Sequence, residues 1–315
     1  MAKDNLADSN SNTEKHIWAI GGGKGGVGKS LVTLCLGIWL AKLRKNVILV
    51  DADLGGANLH TLLGIKHPRY NLNDLLNRSV DSLGEIAIET PIEGLKLISG
   101  TSDLLNLANP KFAQKQKIMK QFDYLEADYV LLDLGAGSSF NTLDFFLMSD
   151  EKIVVLIPQF PSIQNAYGFV KNALFRKFTR SFPVNSPLHE IIQKTANKND
   201  TKNTKNTIGE LLNEIAEIDE DAAEKLDIFL KGFKPKFITN MVREPKEKEA
   251  ARMIQIVSEK YLNIDTLDLG SISYDSRLAK SLSKISNFAN PDPNYSSKIL
   301  EGSYEIVLRL IKDSK

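Results

Sequence analysis

The sequence predicts an α/β fold in which helices cover both faces of a parallel sheet, with a helical insertion. Short, continuous apolar segments alternate with segments of helical periodicity, which is typical of strands buried on both faces. A Gly-rich loop follows the first apolar segment, and other polar residues follow later ones. Because the carboxyl ends of parallel strands meet at one edge of a sheet, we expect these residues to lie together.

The apolar pattern predicts each element in turn. The predicted strands are Ile17–Ile20, Asn46–Val50, Leu95–Ser99, Tyr129–Leu132, Ile153–Ile157, Phe237–Val242 and Leu267–Ile272. The predicted helices are Ser30–Lys45, Ser162–Arg180, Lys246–Leu262 and Ser297–Ile311. In each helix, apolar residues recur at helical spacing. We therefore expect one domain over residues 16–315.

Two segments depart from this alternation. Residues 1–15 are rich in Asn, Ser, Asp and Lys, and we expect a disordered leader. An insertion is expected from about 181 to 233, with Lys194–Thr207 as a loop and Ile208–Phe233 as a helical stretch. Nothing in the composition of the insertion indicates a reaction or a ligand.

Composition excludes several classes of protein. The chain has 315 residues and a net charge of +1, so no global charge bias favours nucleic acid or a membrane. Its one cysteine, Cys35, lies among apolar residues. We expect a buried structural thiol, with no disulfide and no paired cysteines for zinc or an iron–sulfur cluster. Because there is neither a signal-peptide pattern nor a long apolar run, a cytoplasmic location is expected.

A Gly-rich loop joins the first predicted strand to the first predicted helix. It consists of Gly23, Lys24, Gly25, Gly26, Val27, Gly28, Lys29 and Ser30. This G-x-x-x-x-G-K-S pattern between a strand and a helix is that of a P-loop, whose backbone N–H groups and helix N-terminus attract phosphates. Lys29 supplies a charge to the β- and γ-phosphates, and the Ser30 hydroxyl can ligate Mg²⁺. The sequence therefore predicts a site for ATP and Mg.

Carboxylates follow two of the predicted strands. Asp51 and Asp53 come after the second strand, and Asp133 comes after Tyr129–Leu132. A carboxylate beside a P-loop can hold Mg²⁺ or its waters, and a second one can orient an attacking water. The alternative is ordinary turn chemistry, in which Asp and Gly are common.

The sequence resembles the MinD/ParA family of deviant Walker A ATPases. The resemblance rests on Lys24–Ser30, Val50–Leu59 and Asp133–Gly137, and it covers about residues 16–180 and 234–312. Within the family, the chain is most similar to the flagellar-number regulator FlhG and to MinD-like proteins. Met1–Lys15 does not resemble the activator segment common in FlhG proteins.

The resemblance implies a role for each site residue. Lys24 is expected to reach the phosphates of a partner subunit, and Asp53 to position the attacking water. Asp51 and Asp133 are expected around Mg²⁺, and the N–H of Gly137 is expected to sense the γ-phosphate. The resemblance further implies that Pro158 and Asn240 contact the base. For these two, closure of a strand by ordinary turn residues is the alternative.

Three functions remain open on the sequence. The first is a dimerisation switch with slow, dimer-dependent ATP hydrolysis, which positions or counts a structure such as flagella, poles or a division site. Its partners would be a second copy, an unidentified protein and a possible membrane or DNA surface. The second is a metabolic or carrier P-loop enzyme that uses ATP on a small substrate. The third is an adaptor that binds nucleotide without hydrolysing it, which the presence of Lys24 and Asp53 disfavours.

Two surfaces also allow two interpretations. The last predicted helix has Leu300, Tyr304, Val307, Leu308 and Ile311 on one face. We expect it to dock on the core rather than to anchor in a membrane, because it lacks Trp and Phe. A basic cluster on the helix 162–180 consists of Lys171, Arg176, Lys177 and Arg180. We expect a solvated face there, and DNA binding is the alternative.

Overall fold

The architecture comes from a computed structural model. It describes residues 15–53, 56, 58–66, 68–100, 112–197, 208–276 and 298–313. Most of the expected leader lies outside these residues. Lys15, its last residue, is described, and its ammonium group donates to the backbone carbonyl of Phe122 at 2.8 Å.

Within the described residues, the strands form a single sheet. They are β1 His16–Gly21, β2 Val47–Ala52, β3 Ala87–Glu89, β4 Leu95–Ile98, β5 Tyr129–Leu134, β6 Glu151–Leu156, β7 Lys236–Val242 and β8 Leu267–Ser273. Their order is β3-β4-β2-β5-β1-β6-β7-β8. Only the pairing of β3 with β4 is antiparallel. The predicted α/β fold is confirmed, and β3 is an edge strand that the apolar pattern had not indicated.

The helices of the described chain lie on both faces of the sheet. They are α1 Lys29–Lys42, α2 Leu59–Leu62, α3 Leu72–Leu76, α4 Leu83–Ile86, α5 Phe112–Phe122, α6 Phe140–Met148, α7 Phe160–Ser181, α8 Pro187–Asn197, α9 Ile208–Ala216, α10 Glu220–Gly232, α11 Ala250–Leu262 and α12 Lys298–Asp313. A 3-10 turn, Pro245–Glu249, precedes α11. It replaces the first residues of the helix expected from Lys246. None of the described helices combines the length and the hydropathy that crossing a bilayer requires.

Alternation along the strands divides the core into two layers. Ile17 and Ala19 of β1 face the layer that contains α6 and α7, whereas Trp18 and Ile20 face the layer that contains α1 and α12. All four side chains are buried. The central strands are therefore apolar on both faces, which explains their continuous apolar runs.

The insertion is built from three helices that extend the first layer. Leu188 of α8, Leu211 of α9 and Leu226 of α10 are buried in the same cluster as Phe178 of α7. Two expectations need correction. The expected loop over Lys194–Thr207 is wrong at its start, since α8 continues to Asn197. The helical stretch over 208–233 breaks into two helices, because Asp219 caps a new start by accepting from the N–H of Ala222.

The last helix docks on the core as predicted, through a face that partly matches the predicted one. Its buried residues are Ile299, Ser303, Ile306, Val307 and Leu310. Of the predicted face, Val307 is buried and Leu300 and Ile311 are partly buried against the core, whereas Tyr304 is 37% exposed. Trp39 of α1 packs on Tyr304 at a ring distance of 4.6 Å and donates to the carbonyl of Leu300 at 2.6 Å.

The basic cluster on α7 is not a simple solvated face. Arg176 and Arg180 both form ion pairs with Asp144 of α6, at 2.9 and 2.8 Å. The Asp144 side chain is fully buried. Two of the four cations therefore hold α7 against α6, and of the four residues only Lys177 is exposed.

Candidate nucleotide site

The P-loop leaves β1 at the centre of the sheet and enters α1. Gly26 and Gly28 both have positive φ, of 79° and 88°. Gly28 occupies the N-cap of α1 and, lacking a side chain, leaves the first N–H groups of the helix without a side-chain cap. At Gly23, a Cβ would overlap the backbone carbonyl of Asn165 in α7. The loop therefore requires glycine at these positions, both for backbone direction and for close approach.

Lys29 lies at the start of α1 and is buried, with 8% of its surface exposed. Burial lowers the pKa of its ammonium group, and the charges of Asp133 and Asp53 oppose this by raising it. The three side chains are therefore electrostatically coupled beneath the loop. A buried cation at a helix N-terminus is suited to binding phosphate.

Asn240 holds the P-loop from below. This residue of β7 is 2% exposed, and its Nδ2 donates to the carbonyl of Val27 at 2.9 Å. Its Oδ1 accepts from the N–H of Met241, also at 2.9 Å. Its carboxamide therefore bonds to the loop backbone and to its own strand. The predicted contact with the base stays a prediction.

Asp51 organises the segment that follows β2. Its Oδ2 accepts from the N–H groups of Asn58 and Leu59 at 2.8 and 3.0 Å, and its Oδ1 accepts from that of Asp53 at 3.3 Å. Burial raises its pKa to about 6, although these backbone hydrogen bonds lower it. Asp51 thus supports the start of α2.

Asp133 is placed differently, at the end of β5. It is 2% exposed, and its Oδ1 has no hydrogen-bond partner among the described residues. Its pKa is raised to about 8, mainly by burial and next by the charge of Asp51, and a hydrogen bond from Ser30 opposes this rise. A buried carboxyl oxygen without a partner, beside a serine hydroxyl, fits the hard oxygen ligands that Mg²⁺ takes.

A metal at this point would need further ligands. No group of three or more His, Cys, Asp or Glu side chains suited to a metal occurs in the described part of the chain. Ser30 and Asp133 are two oxygen donors on one side of the P-loop. Phosphate oxygens and water would complete the coordination, as Mg²⁺ in nucleotide sites commonly requires.

Asp53 and the segment after β5 face each other. A Cβ on Gly135 would lie 3.0 Å from Oδ1 of Asp53, so the backbone approaches this half-buried carboxylate closely. Two residues later, the N–H of Gly137 donates to the carbonyl of Gly22 at 3.2 Å. The predicted γ-phosphate sensor is therefore bonded to the residue before the P-loop pattern.

The remaining predicted residues lie at the rim. Lys24 is exposed, and its ammonium group has no ion pair or hydrogen bond within the described residues. Pro158 is half-buried after β6, which pairs with β1 on the side opposite β5. The structure thus brings Lys29, Asp53 and Asp133 together under the loop, and it leaves Lys24 exposed to solvent.

Comparison with known proteins agrees with this geometry. A family profile described as ParA, NUBPL iron-transfer P-loop NTPase, matches residues 13–178. This match covers more than half of the chain and includes the P-loop and the segments around Asp53 and Asp133. The chain belongs to the ParA family of P-loop NTPases.

Several curated proteins are similar to this ParA-family chain. The antiactivator FleN of Pseudomonas aeruginosa is 30% identical over 157 residues, which are 49% of this chain and 55% of FleN. The flagellum site-determining protein YlxH of Helicobacter pylori is 34% identical over 166 residues, or 52% of this chain and 55% of YlxH. The chain spans about half the length of the curated relatives it matches.

Solved structures share the whole fold. The septum site-determining protein MinD of Pyrococcus horikoshii, complexed with Mg-ADP, superposes with a TM-score of 0.61 at 19% identity, over 95% of this chain and 97% of MinD. A ParA family ATPase of Chlorobium tepidum superposes with the same TM-score at 16% identity, over 94% and 98% of the two chains. These likenesses establish the fold.

Sequence reasoning missed two parts of the site in this ParA-family chain. The first is the contact of α7 with the P-loop, through the carbonyl of Asn165 beneath Gly23. The second is the hydrogen bond from Ile157 to the hydroxyl of Ser162, which fixes the turn around Pro158 at 3.0 Å. Neither has a sequence signal, since one uses a backbone atom and the other an ordinary serine.

Proposed function

We propose that the chain is an ATP-binding and ATP-hydrolysing dimerisation switch of the MinD/ParA type. ATP would bind at the P-loop with Mg²⁺, join two copies and be hydrolysed slowly within the dimer. The switch would position or count a cellular structure such as flagella. It would act in the cytoplasm. It would attach there to a protein partner, a cell pole or a membrane.

The exposure of Lys24 is the observation that carries this proposal. A lysine inside a P-loop would normally turn its charge toward the phosphates of its own site, as the buried Lys29 can do. Lys24 instead projects into solvent and is not neutralised by any described residue. An unpaired cation at the mouth of the site is suited to reach the phosphates of a second copy, as catalytic cations supplied in trans do.

The other residues take the roles that their positions suit. Lys29 and the first N–H groups of α1 would bind the phosphates, and Asp53 would orient the attacking water. Ser30 and Asp133 would hold Mg²⁺, which neutralises phosphate charge when bound. Gly137 would exchange its bond to Gly22 for one to the γ-phosphate, which would couple the segment after β5 to the nucleotide state.

The relatives support a positioning role. FleN is named an antiactivator, and YlxH is named flagellum site-determining. Each matches about half of this chain. A carrier of iron, which the family profile's description names, is not favoured. Cys35 is the only cysteine, is fully buried, and has its pKa raised to about 12 by that burial, so no thiolate is available to bind iron.

Complementation between two inactive variants tests the proposal. We expect Lys24→Ala and Asp53→Ala each to bind ATP and each to lose ATPase activity, by roughly three orders of magnitude for Lys24→Ala. In a mixed dimer, the subunit with Lys24→Ala has its own Asp53 and receives Lys24 from its partner. One site is then complete. Mixing equal amounts should restore about a quarter of the wild-type rate, because half of the dimers are mixed and each has one complete site of two.

The exposed Lys45 provides a control for removal of a lysine. Lys45→Ala should keep the wild-type ATPase rate. When it is mixed with either inactive variant, the rate of the mixture should equal the rate of the Lys45→Ala protein that it contains. If light scattering shows dimers in the mixture and the rate stays at the level of the separate variants, Lys24 does not act in trans. The dimerisation switch would then lose its main support.

A further inference from the structure

A groove lies between α6, α7 and α8, next to the segment that follows β5. Its volume is about 770 Å³. Phe140 and Leu143 of α6, Phe175 and Arg176 of α7, and His189 of α8 line it. One wall belongs to the core fold, and the other belongs to the insertion. None of the assigned nucleotide residues contributes to the lining.

The groove carries positive charge. Arg176 and Arg180 both line it, and each forms an ion pair with Asp144. Asp144 is fully buried and is not part of the lining. None of the described residues that line the groove is acidic. Two guanidinium groups, and no carboxylate of a described residue, therefore border the space.

The rim of the groove is apolar and open to solvent. Phe140 is 61% exposed and Val184 is 74% exposed. The guanidinium of Arg176 lies over the Phe140 ring, 4.2 Å from its centroid. Large apolar side chains this exposed beside a charged cleft are typical of a binding surface.

A polar side chain also faces this space. His189 is 7% exposed and lines the groove. Its backbone N–H donates to the hydroxyl of Ser186 at 3.2 Å, so the ring is carried by the first turn of α8. The imidazole thus adds a hydrogen-bonding group to the lining of the groove.

We propose that this groove docks an acidic amphipathic peptide segment of a partner protein. Apolar side chains of the peptide would pack on Phe140, Val184 and Leu143, and its carboxylates would face Arg176 and Arg180. Helices that border an apolar cleft form the kind of groove that accepts such a segment. The inference rests on the proposed function, since a positioning switch requires a protein partner, and it names the chemistry of that partner.

The location connects docking to the nucleotide site. Phe140 begins α6 three residues after Gly137, and Ser139 caps this helix by accepting from the N–H of Thr142 at 3.2 Å. A movement of Gly137 toward a γ-phosphate would therefore be transmitted to the start of α6 and to the rim of the groove.

Charge substitutions at Val184 test the docking site. Val184→Glu and Val184→Lys remove the same apolar side chain from a largely exposed position and differ only in charge. Displayed random peptides of about four helical turns are selected on the nucleotide-free wild-type protein, and enriched peptides are synthesised for anisotropy titrations. We expect enriched peptides to combine Asp or Glu with aromatic or aliphatic residues. They should bind Val184→Lys at least about tenfold more tightly than Val184→Glu.

A matched pair of variants controls for charge elsewhere on the insertion. Ile218 is 53% exposed and lies outside the groove. Ile218→Glu and Ile218→Lys should bind the peptides equally. Failure to enrich peptides, or peptides that bind both Val184 variants alike, would overturn the proposal.

Other occupants give distinct results. Flotation with phosphatidylglycerol vesicles tests a lipid surface, and sedimentation velocity without nucleotide tests a second copy. If Val184→Glu abolishes vesicle binding or changes self-association of the free protein, the groove has that occupant and the proposal is wrong. ATP affinity is measured separately by calorimetry. Normal ATP binding without peptide docking overturns the groove alone, whereas absent ATP binding overturns the proposed function.

Discussion

Asp51 and Asp133 lie side by side on neighbouring strands, in register across β2 and β5. Both are fully or almost fully buried, and both follow a run of apolar residues. Their surroundings nevertheless differ. Asp51 accepts three backbone N–H groups, whereas one oxygen of Asp133 has no partner within the described chain. Burial raises the pKa of Asp51 to about 6 and that of Asp133 to about 8.

The difference arises from the segment after each strand. After Asp51 the chain turns back into α2, whose first N–H groups point at the carboxylate. After Asp133 the chain continues to Gly137, whose N–H is bonded to Gly22 instead. A carboxylate that the backbone satisfies is suited to a structural role, and one that is buried with an unsatisfied oxygen is suited to a ligand. We therefore propose that Asp133 binds Mg²⁺ and that Asp51, predicted at the metal as well, mainly stabilises the segment before α2.

For these two carboxylates, the largest expected effect is the loss of ATPase activity in Asp133→Asn. The amide has the shape of the carboxyl group but cannot supply a negative charge to Mg²⁺. We expect the Mg-dependent ATPase rate to fall about 10- to 100-fold. The free energy of unfolding without Mg²⁺ should change little, because at neutral pH the carboxyl group of Asp133 mostly keeps its proton. Steady-state ATPase assays over a range of Mg²⁺ concentrations check the rate.

Asp51→Asn gives the matched comparison for that experiment. If Asp51→Asn reduces Mg-dependent activity as much as Asp133→Asn does, at equal folded fraction, both carboxylates belong to the metal site. The division of roles between the two strands would then be lost.

A smaller effect is expected on the stability of Asp51→Asn. The amide presents only one acceptor oxygen to the N–H groups of Asn58, Leu59 and Asp53, and its NH₂ group faces donors. The free energy of unfolding should fall by about 1–3 kcal/mol. Urea unfolding of both variants, without nucleotide and with EDTA, checks the value. A wild-type midpoint for Asp51→Asn would show that these hydrogen bonds do not hold the segment.

The smallest expected effect is a slope of stability with pH. The pKa of Asp133 is raised from 3.8 to about 8 on folding, so the folded state keeps a proton that the unfolded state has lost. The stabilisation that this proton gives is complete below about pH 4 and is lost as the pH rises to about 8. For Asp51, the loss ends at about pH 6.

Between pH 6 and 8, Asp133 is therefore the carboxylate of this pair that makes stability fall with pH. The slope should be at most about 1.4 kcal/mol per pH unit. Asp133→Asn should flatten it, and Asp51→Asn should leave it as in the wild type. Urea unfolding at several pH values without Mg²⁺ measures the slope. The same slope in all three proteins would contradict the assignment.

The sequence predicted the nucleotide edge of the sheet well, because its chemistry is local. Continuous apolar runs located β1, β2 and β5, and the P-loop pattern located Lys29 between a strand and a helix. It could not separate Asp51 from Asp133, since the difference depends on where N–H groups of residues 58 and 59 point. It also could not place Asn240 beneath Val27, a contact between residues 213 positions apart.

The insertion was less predictable for a different physical reason. Its helices bury Leu188 and Ile192 against α7, so their apolar faces are defined by a distant helix. The polar segment that begins at Lys194 has a loop-like composition, yet the last turn of α8 extends into it up to Asn197. The ion pairs of Asp144 with two arginines of α7 also have no sequence signal, because in the sequence Asp144 looks like any polar residue of an amphipathic helix.

The docking of α12 over α1 makes Cys35 a natural probe of local opening. The thiol is fully buried, beside the hydroxyl of Ser303 in α12. A thiol reagent can therefore modify it only after α12 has moved away or the chain has unfolded. With no other cysteine in the chain, the rate of modification reports how often this helix detaches, and a comparison with global unfolding measures its separate stability.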